Sequence, residues 1–372
     1  MLVDVLIVTV KALAVLLIVL NLSALLLWVE RKGSALIQNR IGANRASIFG
    51  RMPINLGIVN TLMADPLKMF TKEDFVPEGA DRFLHAAAPF LALFPVLVTF
   101  AAIPFGDELR IGDRVISLQV ADLNVGLLYV LAMVSLGVYG VVLAGWASNN
   151  RWALLGGIRG SAQMISYELA MGLSLASVVM TFGSLDLQAM VRSQGQSLGT
   201  WSGLSFLGVL PAWGIFLQPI AFVIVFTSGI AESKRIPFDL PESESELVSG
   251  YFTEYSGGKQ AVFMLTDFAE IVLVSGIVTT LFFGGWQFPF LGREGFTFPG
   301  GFGVSLPNVV VALLQVMAFL GKVSFLCWLQ ILIRWTLPRF RYDQLMRLGW
   351  KGLVPLALVN VVVTAFVIVL AR

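Results

Sequence analysis

Eight stretches of about 20 or more predominantly apolar residues, each bounded by charge, proline or glycine, run through this 372-residue chain. They fall at residues 3–29, 85–105, 123–147, 160–182, 206–230, 260–284, 307–333 and 352–371. A bilayer core takes roughly 20 helical residues to cross, and inside it only helices and closed barrels satisfy their own backbone. Runs of this length read as helices. The expected fold is therefore an all-α polytopic membrane protein with eight transmembrane helices in a single membrane domain, residues 1–372. Composition agrees, at 57% hydrophobic and 13% charged, against about half and one quarter in soluble domains. The first run is too long for a cleavable signal and ends in Trp28-Val29-Glu30-Arg31-Lys32, with no small-residue cleavage site.

Loop charge sets the expected orientation, because cytoplasmic loops carry the excess of Lys and Arg. Segments 30–84, 148–159, 231–259 and 334–351 hold 18 of the 25 basic residues, and the opposite loops with Arg372 hold 5. Both termini are thus expected outside, with 30–84, 231–259 and 334–351 as cytoplasmic interface segments. Within the first of these, Ile54, Ile58, Leu62, Leu67 and Phe70 alternate with polar residues, the pattern of an amphipathic helix at the interface, kinked by Pro66. On the outer side, residues 107–121 alternate around Gly112-Asp113, which predicts a short hairpin.

Two counts restrict the chemistry. The chain has one cysteine, Cys327, and one histidine, His85, so it lacks the thiolates of an iron-sulfur cluster and the ligands of a zinc site or a bis-histidine haem. Gly156-Gly-Ile-Arg-Gly160 and Gly300-Gly-Phe-Gly303 match neither a P-loop nor a dinucleotide fingerprint. Any redox centre the protein serves is expected on a partner.

What remains is acid. Glu168 in the fourth span, and Asp267 and Glu270 three residues apart in the sixth, stand where charge is expensive and tends to mark an ion or proton path, as does Lys322 in the seventh. The bland reading is that they pair with one another and hold helices in register; three acids on two helices exceed that need. The loop from Glu232 to Glu254 adds Asp239, Glu242, Glu244, Glu246 and Glu254 against Lys234 and Arg235. Crowded carboxylates raise one another's affinity for protons, the property a redox-linked proton switch requires. Pro237, Phe238, Leu240, Pro241, Leu247 and Val248 among the acids predict a packed loop rather than a solvated one. His85 reads as an ordinary interfacial ring and Cys327 as a packing residue.

Four stretches together resemble the H-subunit family of respiratory complex I, the NADH-quinone oxidoreductase, whose mitochondrial counterpart is NADH dehydrogenase subunit 1. They are Glu30-Arg-Lys32 with Gln38-Asn-Arg40-Ile-Gly-Ala-Asn44-Arg45 and Ala64-Asp65-Pro-Leu-Lys68-Met-Phe-Thr-Lys-Glu-Asp74; Gly145-Trp-Ala-Ser-Asn-Asn150 running to Ile165-Ser-Tyr-Glu168; Pro237-Phe-Asp-Leu-Pro-Glu-Ser-Glu-Ser-Glu-Leu-Val-Ser-Gly250; and Arg334 with Pro338-Arg-Phe-Arg-Tyr-Asp-Gln-Leu-Met346. The resemblance implies eight spans in a bacterial inner membrane, at the junction with the peripheral arm. It implies a tunnel for quinone, the substrate, lined or bordered by Arg31, Asp65, Lys68, Phe238 and Arg334. It implies a proton-coupling set of Glu168, Glu232, Arg235, Asp239, Glu242, Glu244, Glu246, Glu254 and Asp267, to which Glu270 is added here. FMN and the iron-sulfur clusters belong to the partner subunits, and this chain binds none alone.

Two positions depart from the family pattern: Ser135 stands where some bacterial members carry glutamate, and Asp267 replaces the more usual glutamate. Two alternatives stay open at the level of sequence. One is the membrane anchor of a related proton-translocating hydrogenase; the other is a stand-alone ion transporter, against which the absent internal repeat counts.

Overall fold

The structure, a computed structural model, describes residues 2–42, 57–112, 114–199, 211–293, 295–297 and 303–371. Ala43, Asn44 and Arg45 of the first family motif lie outside these residues, as do positions 206–210 of the expected fifth span.

In chain order the elements are α1 (Leu2–Ile37), α2 (Gly57–Thr71), α3 (Arg82–Thr99), β1 (Glu108–Ile111), β2 (Arg114–Ser117), α4 (Gly126–Ala147), α5 (Arg151–Phe182), α6 (Leu187–Gln194), α7 (Pro219–Glu232) and α8 (Gly257–Phe282). There follow β3 (Leu291–Gly292), β4 (Gly295–Thr297), β5 (Gly303–Ser305), α9 (Asn308–Thr336), α10 (Tyr342–Arg347) and α11 (Val354–Ala371). Among the described residues, seven helices are long and apolar enough to cross a membrane, with α10 and α11 forming one of them through the wide-turned segment Leu348–Leu353.

The expected span 206–230 is not one unbroken helix over its described part. A single turn, Gly214–Leu217, ends at Gln218 (φ −135°, ψ 59°), and α7 then begins at Pro219. Proline starts a helix well, and inside one it removes a backbone hydrogen bond, so a break falls readily just before it. The 14 residues of α7 reach about 21 Å at 1.5 Å per residue, short of a bilayer core of about 30 Å. The Gln218 side chain makes up for the break. It donates to Thr181 Oγ1 at 2.9 Å and Thr364 Oγ1 at 3.0 Å, and accepts from Asn360 Nδ2 at 3.1 Å. Other helices overrun their expected bounds: α1 continues to Ile37, and α5 starts at Arg151, where the Asn150 side chain accepts from the Trp152 N–H.

The core is built around α8, in which every residue from Thr266 to Phe282 is buried. An all-round apolar helix is one that neighbours enclose, and α1, α3, α7 and α9 pack against it. The two ends of the molecule are both polar. At one end β1 and β2 form the expected hairpin, with Glu108 opposite Ser117 and Ile111 opposite Arg114. Lys11 Nζ of α1 reaches the following backbone, donating to Gln119 O at 2.7 Å. At the other end Glu30 of the same helix meets Arg235. Nineteen residues separate Lys11 from Glu30, about 28 Å of helix, close to the thickness of an apolar bilayer core.

Candidate functional site

The loop after α7 is folded down onto α5 and the start of α8. Lys234 takes φ 53°, a left-handed conformation that non-glycine residues adopt at a cost. The loop is held from two sides. Gln163 Nε2 on α5 donates to Ala231 O (2.6 Å) and Phe238 O (2.7 Å). Gly156, also on α5, lies so close to the loop that a Cβ there would stand 2.7 Å from Gly250 Cα and 2.8 Å from Pro241 O. The Gly156 to Gly160 run, which fits no nucleotide motif, thus has a packing function: it lets the acidic loop seat against the helix.

The seated loop builds two adjoining ion-pair groups. In the first, Lys234 Nζ donates to Glu270 Oε1 (2.9 Å) and Oε2 (3.0 Å) and stands 3.5 Å from Asp267 Oδ1. Glu242 stands beside them, its carboxyl acting on that of Asp267. In the second, Glu30 is shared by Arg235 Nη1 (3.0 Å) and Arg334 Nη1 (3.2 Å), and the Arg235 guanidinium lies 4.2 Å from the Phe268 ring centroid. Arg339 Nη2 joins Asp239 Oδ2 at 2.8 Å. Among the described residues Asp239 Oδ1, Arg235 Nε and Arg334 Nε make no hydrogen bond. The groups therefore retain unused donors and acceptors in a buried setting, where such groups are costly.

Burial decides protonation in the loop. It pushes the Glu242 carboxyl well above the usual carboxylate range, helped by Asp267 and Asp239. Burial raises Asp239 to about 6, against the opposing pull of Arg339 and Arg235; this acid titrates near neutrality. Burial also disfavours the Lys234 ammonium, but Glu270 and Asp267 more than offset it and its pKa is raised. Lys234 is a fixed charge, while Glu242 and Asp239 are the groups that answer to a field.

The remaining expected residues divide clearly. Glu168 accepts from the Ser135 hydroxyl, which joins α4 to α5. Glu232 and Glu270 face one small cavity of about 20 Å³, otherwise lined by Met164, Met171, Val274 and further apolar side chains. Glu246 is half exposed and pairs with Arg159 at 2.7 Å. Glu254 accepts from Asn150 Nδ2 at 2.7 Å, and its carbonyl meets His85 Nε2 at 3.1 Å. Neither makes an ion pair with Lys234. The side chain of Glu244 lies outside the described residues. Arg31 and Asp65 pair at 2.5 Å, Lys68 is exposed on α2, and Phe238 is buried edge-on to Tyr167 at 5.3 Å. Sequence reading assigned Glu30, Lys234 and Arg339 no site role, although Glu30 and Arg339 stand inside the quoted motifs and Lys234 among the loop acids. Among the described residues, no group of three or more His, Cys, Asp or Glu is arranged to hold a metal ion.

Lys322 has a different place from the one its intramembrane position implied. Its ammonium donates to Phe283 O (2.7 Å), Gly285 O (3.0 Å) and Gln287 O (2.5 Å) and stands 4.7 Å from the Trp213 ring centroid. Three carbonyls and an indole face satisfy the charge without a carboxylate, and pin the turn after α8. Lys322→Met is expected to lower thermal stability by about 2–4 kcal/mol, the cost of orphaning buried polar groups, and to leave proton pumping per electron unchanged. A drop in pumped protons per electron would return Lys322 to the ion path.

Fold and site together define an all-α integral membrane protein that carries buried ion pairs at one end of a central helix. The chain belongs to the NADH dehydrogenase family, whose model matches residues 10–365, and its relatives place it among the H subunits of NADH-quinone oxidoreductase. It is 47% identical over 353 residues to an NADH-quinone oxidoreductase H subunit of Geobacter metallireducens, covering 95% of this chain and 94% of that protein. It is 40% identical to the corresponding H subunit of Bdellovibrio bacteriovorus, over 97% of this chain and 96% of that one. With an H subunit of Cytophaga hutchinsonii it shares 41% identity over 92% and 91%.

Proposed function

We propose that this chain, as a membrane subunit of an NADH-quinone oxidoreductase in a bacterial inner membrane, helps enclose the quinone tunnel and couples quinone reduction to proton translocation. The reading includes eight spans, with α7 and the residues before it as the fifth, and both termini on the periplasmic side. Partner subunits supply FMN, the iron-sulfur clusters and the electrons. The observation that carries it is the buried Lys234 ammonium held by Asp267 and Glu270 on α8, beside Glu30 shared by Arg235 and Arg334. Negative charge arriving at the quinone raises the proton affinity of nearby carboxyls, and its removal lowers it. Asp239, poised near 6, and Glu242 are the acids this field acts on. Arg31, Asp65, Lys68, Phe238 and Arg334 border the tunnel, and Glu30 positions Arg334 through their ion pair.

The test is Glu242→Gln in the complex in native vesicles. Fewer protons pumped per electron, or quinone reduction at least about tenfold slower, is expected while ferricyanide reduction by NADH persists on the peripheral arm. Pumping and quinone reduction both at the parent level would sink the coupling role.

A further inference from the structure

Helix α2 owes its place to polar ties more than to a core. From Met63 to Thr71 none of its residues is buried: Asp65 and Met69 are half-buried, and the rest, with Met63, Leu67 and Phe70 on one stripe, are exposed. Pro66 stands inside it. A helix of this length is marginal by itself and takes its position from tertiary packing, which these residues do not provide. The start of α8 grips its end. Ser256 donates from Oγ to Glu73 O at 3.0 Å and accepts from the Phe75 N–H at 3.4 Å. Lys259 Nζ stands 3.0 Å from Asp74 Oδ2 and 3.5 Å from His85 Nδ1. An ammonium only donates, so Nδ1 is the accepting nitrogen and Nε2–H donates to Glu254 O, 3.1 Å away. The His85 ring is fully buried and lies parallel to that of Tyr255, centroids 4.1 Å apart, so it is a fixed seat for the lysine. Gly257 admits the close approach: it takes φ 55°, and a Cβ there would stand 3.1 Å from Lys72 O. Nearer its middle α2 meets α1 through the part-exposed pair of Asp65 and Arg31, a kind of contact that contributes little.

We propose that Ser256 and Lys259, the latter seated on His85, are positioning residues for quinone: they form a clasp that sets where α2 stands against α8, and through α2 where Asp65 and Lys68 stand at the tunnel border. Neither residue touches quinone, and no proton or electron passes through them. The inference rests on the tunnel reading argued above. It is separate from the coupling acids, because Lys259 lies eight residues before Asp267, about 12 Å of helix, and its loss leaves the ion pairs of Lys234 in place.

The experiment is the double variant Ser256→Ala/Lys259→Met in the whole complex, with Lys259→Arg as the conservative control. The readouts are KM and kcat for a short-chain quinone, per complex counted by ferricyanide reduction, protons pumped per electron, and hydrogen exchange of the peptide 63–75 by mass spectrometry. The double variant is expected to raise KM at least about fivefold, the scale of one hydrogen bond with one part-exposed ion pair. It is also expected to speed exchange of the peptide, while kcat and protons per electron stay at the parent level. Lys259→Arg keeps a cation within reach of Asp74 and His85 and is expected to behave as the parent. Exchange at the parent rate, or Lys259→Arg as impaired as the double variant, would overturn the clasp. A lower kcat at unchanged KM would reduce both residues to packing. Faster exchange with KM and kcat both unchanged would overturn the positioning role and put the fault in the tunnel reading, since α2 would then be loosened without consequence for quinone. If the double variant does not assemble, Asp74→Asn, which weakens the pair from its more exposed side, decides by the same measures.

Discussion

Lys234→Met is expected to be the most damaging single substitution in the molecule, at about 3–5 kcal/mol, because it leaves Asp267 and Glu270 buried without the ammonium they share. Both acids lie in the fully buried part of α8, where no solvent relieves them, and the left-handed turn at Lys234 loses the ion pairs that hold it. The measurements are the amount of assembled complex on native gels and the rate of thermal inactivation of quinone reduction, a kinetic stability. The double variant Lys234→Met/Glu270→Gln is expected to recover part of the loss, since it removes one of the stranded charges. A double variant no better than the single one, or a single variant as stable as the parent, would mean that the pair is not the keystone its geometry indicates.

Glu30→Gln is the second large effect. Glu30 accepts from both Arg235 and Arg334, so without its charge two guanidiniums face each other with no common anion, one of them stacked on Phe268. The cost of breaking a buried pair is again about 3–5 kcal/mol, here paired with a kinetic signature. Arg334 loses its position at the tunnel border, so KM for a short-chain quinone is expected to rise at least about tenfold while ferricyanide reduction per complex is retained. Unchanged quinone kinetics would show that Arg334 does not depend on Glu30 for its placement.

Much of this architecture was readable from the chain. Long apolar runs announce spans, because a bilayer leaves the backbone no other choice, and the hairpin at Gly112-Asp113 follows from strand alternation around turn residues. The break at Gln218-Pro219 was not legible from its proline, since Pro89 and Pro95 stand inside the unbroken α3. The acids of the 231–259 loop were visible as a crowd. Invisible was their sorting: Glu246 pairs with Arg159 of α5, Glu254 with Asn150 that caps it, and Asp239 with Arg339. Spacing along the chain does not encode that division, because the fold of the loop over Gly156 decides which carboxyl points inward.

The intramembrane lysines make the same point from the other side. Lys322 looks like an ion-path residue in a linear reading, yet it is spent on backbone carbonyls after α8, as Lys11 is at the hairpin-bearing end. By itself the sequence determined the membrane class, the family and the presence of a charged end, because hydropathy, loop charge and motif are local quantities. Tertiary structure alone decided which acids Lys234 holds, which lysine is spent on carbonyls and that Glu30 serves two arginines. Those properties depend on distance and burial between residues up to 304 positions apart, from Glu30 to Arg334, and electrostatics responds to separation in space, not to separation along a chain.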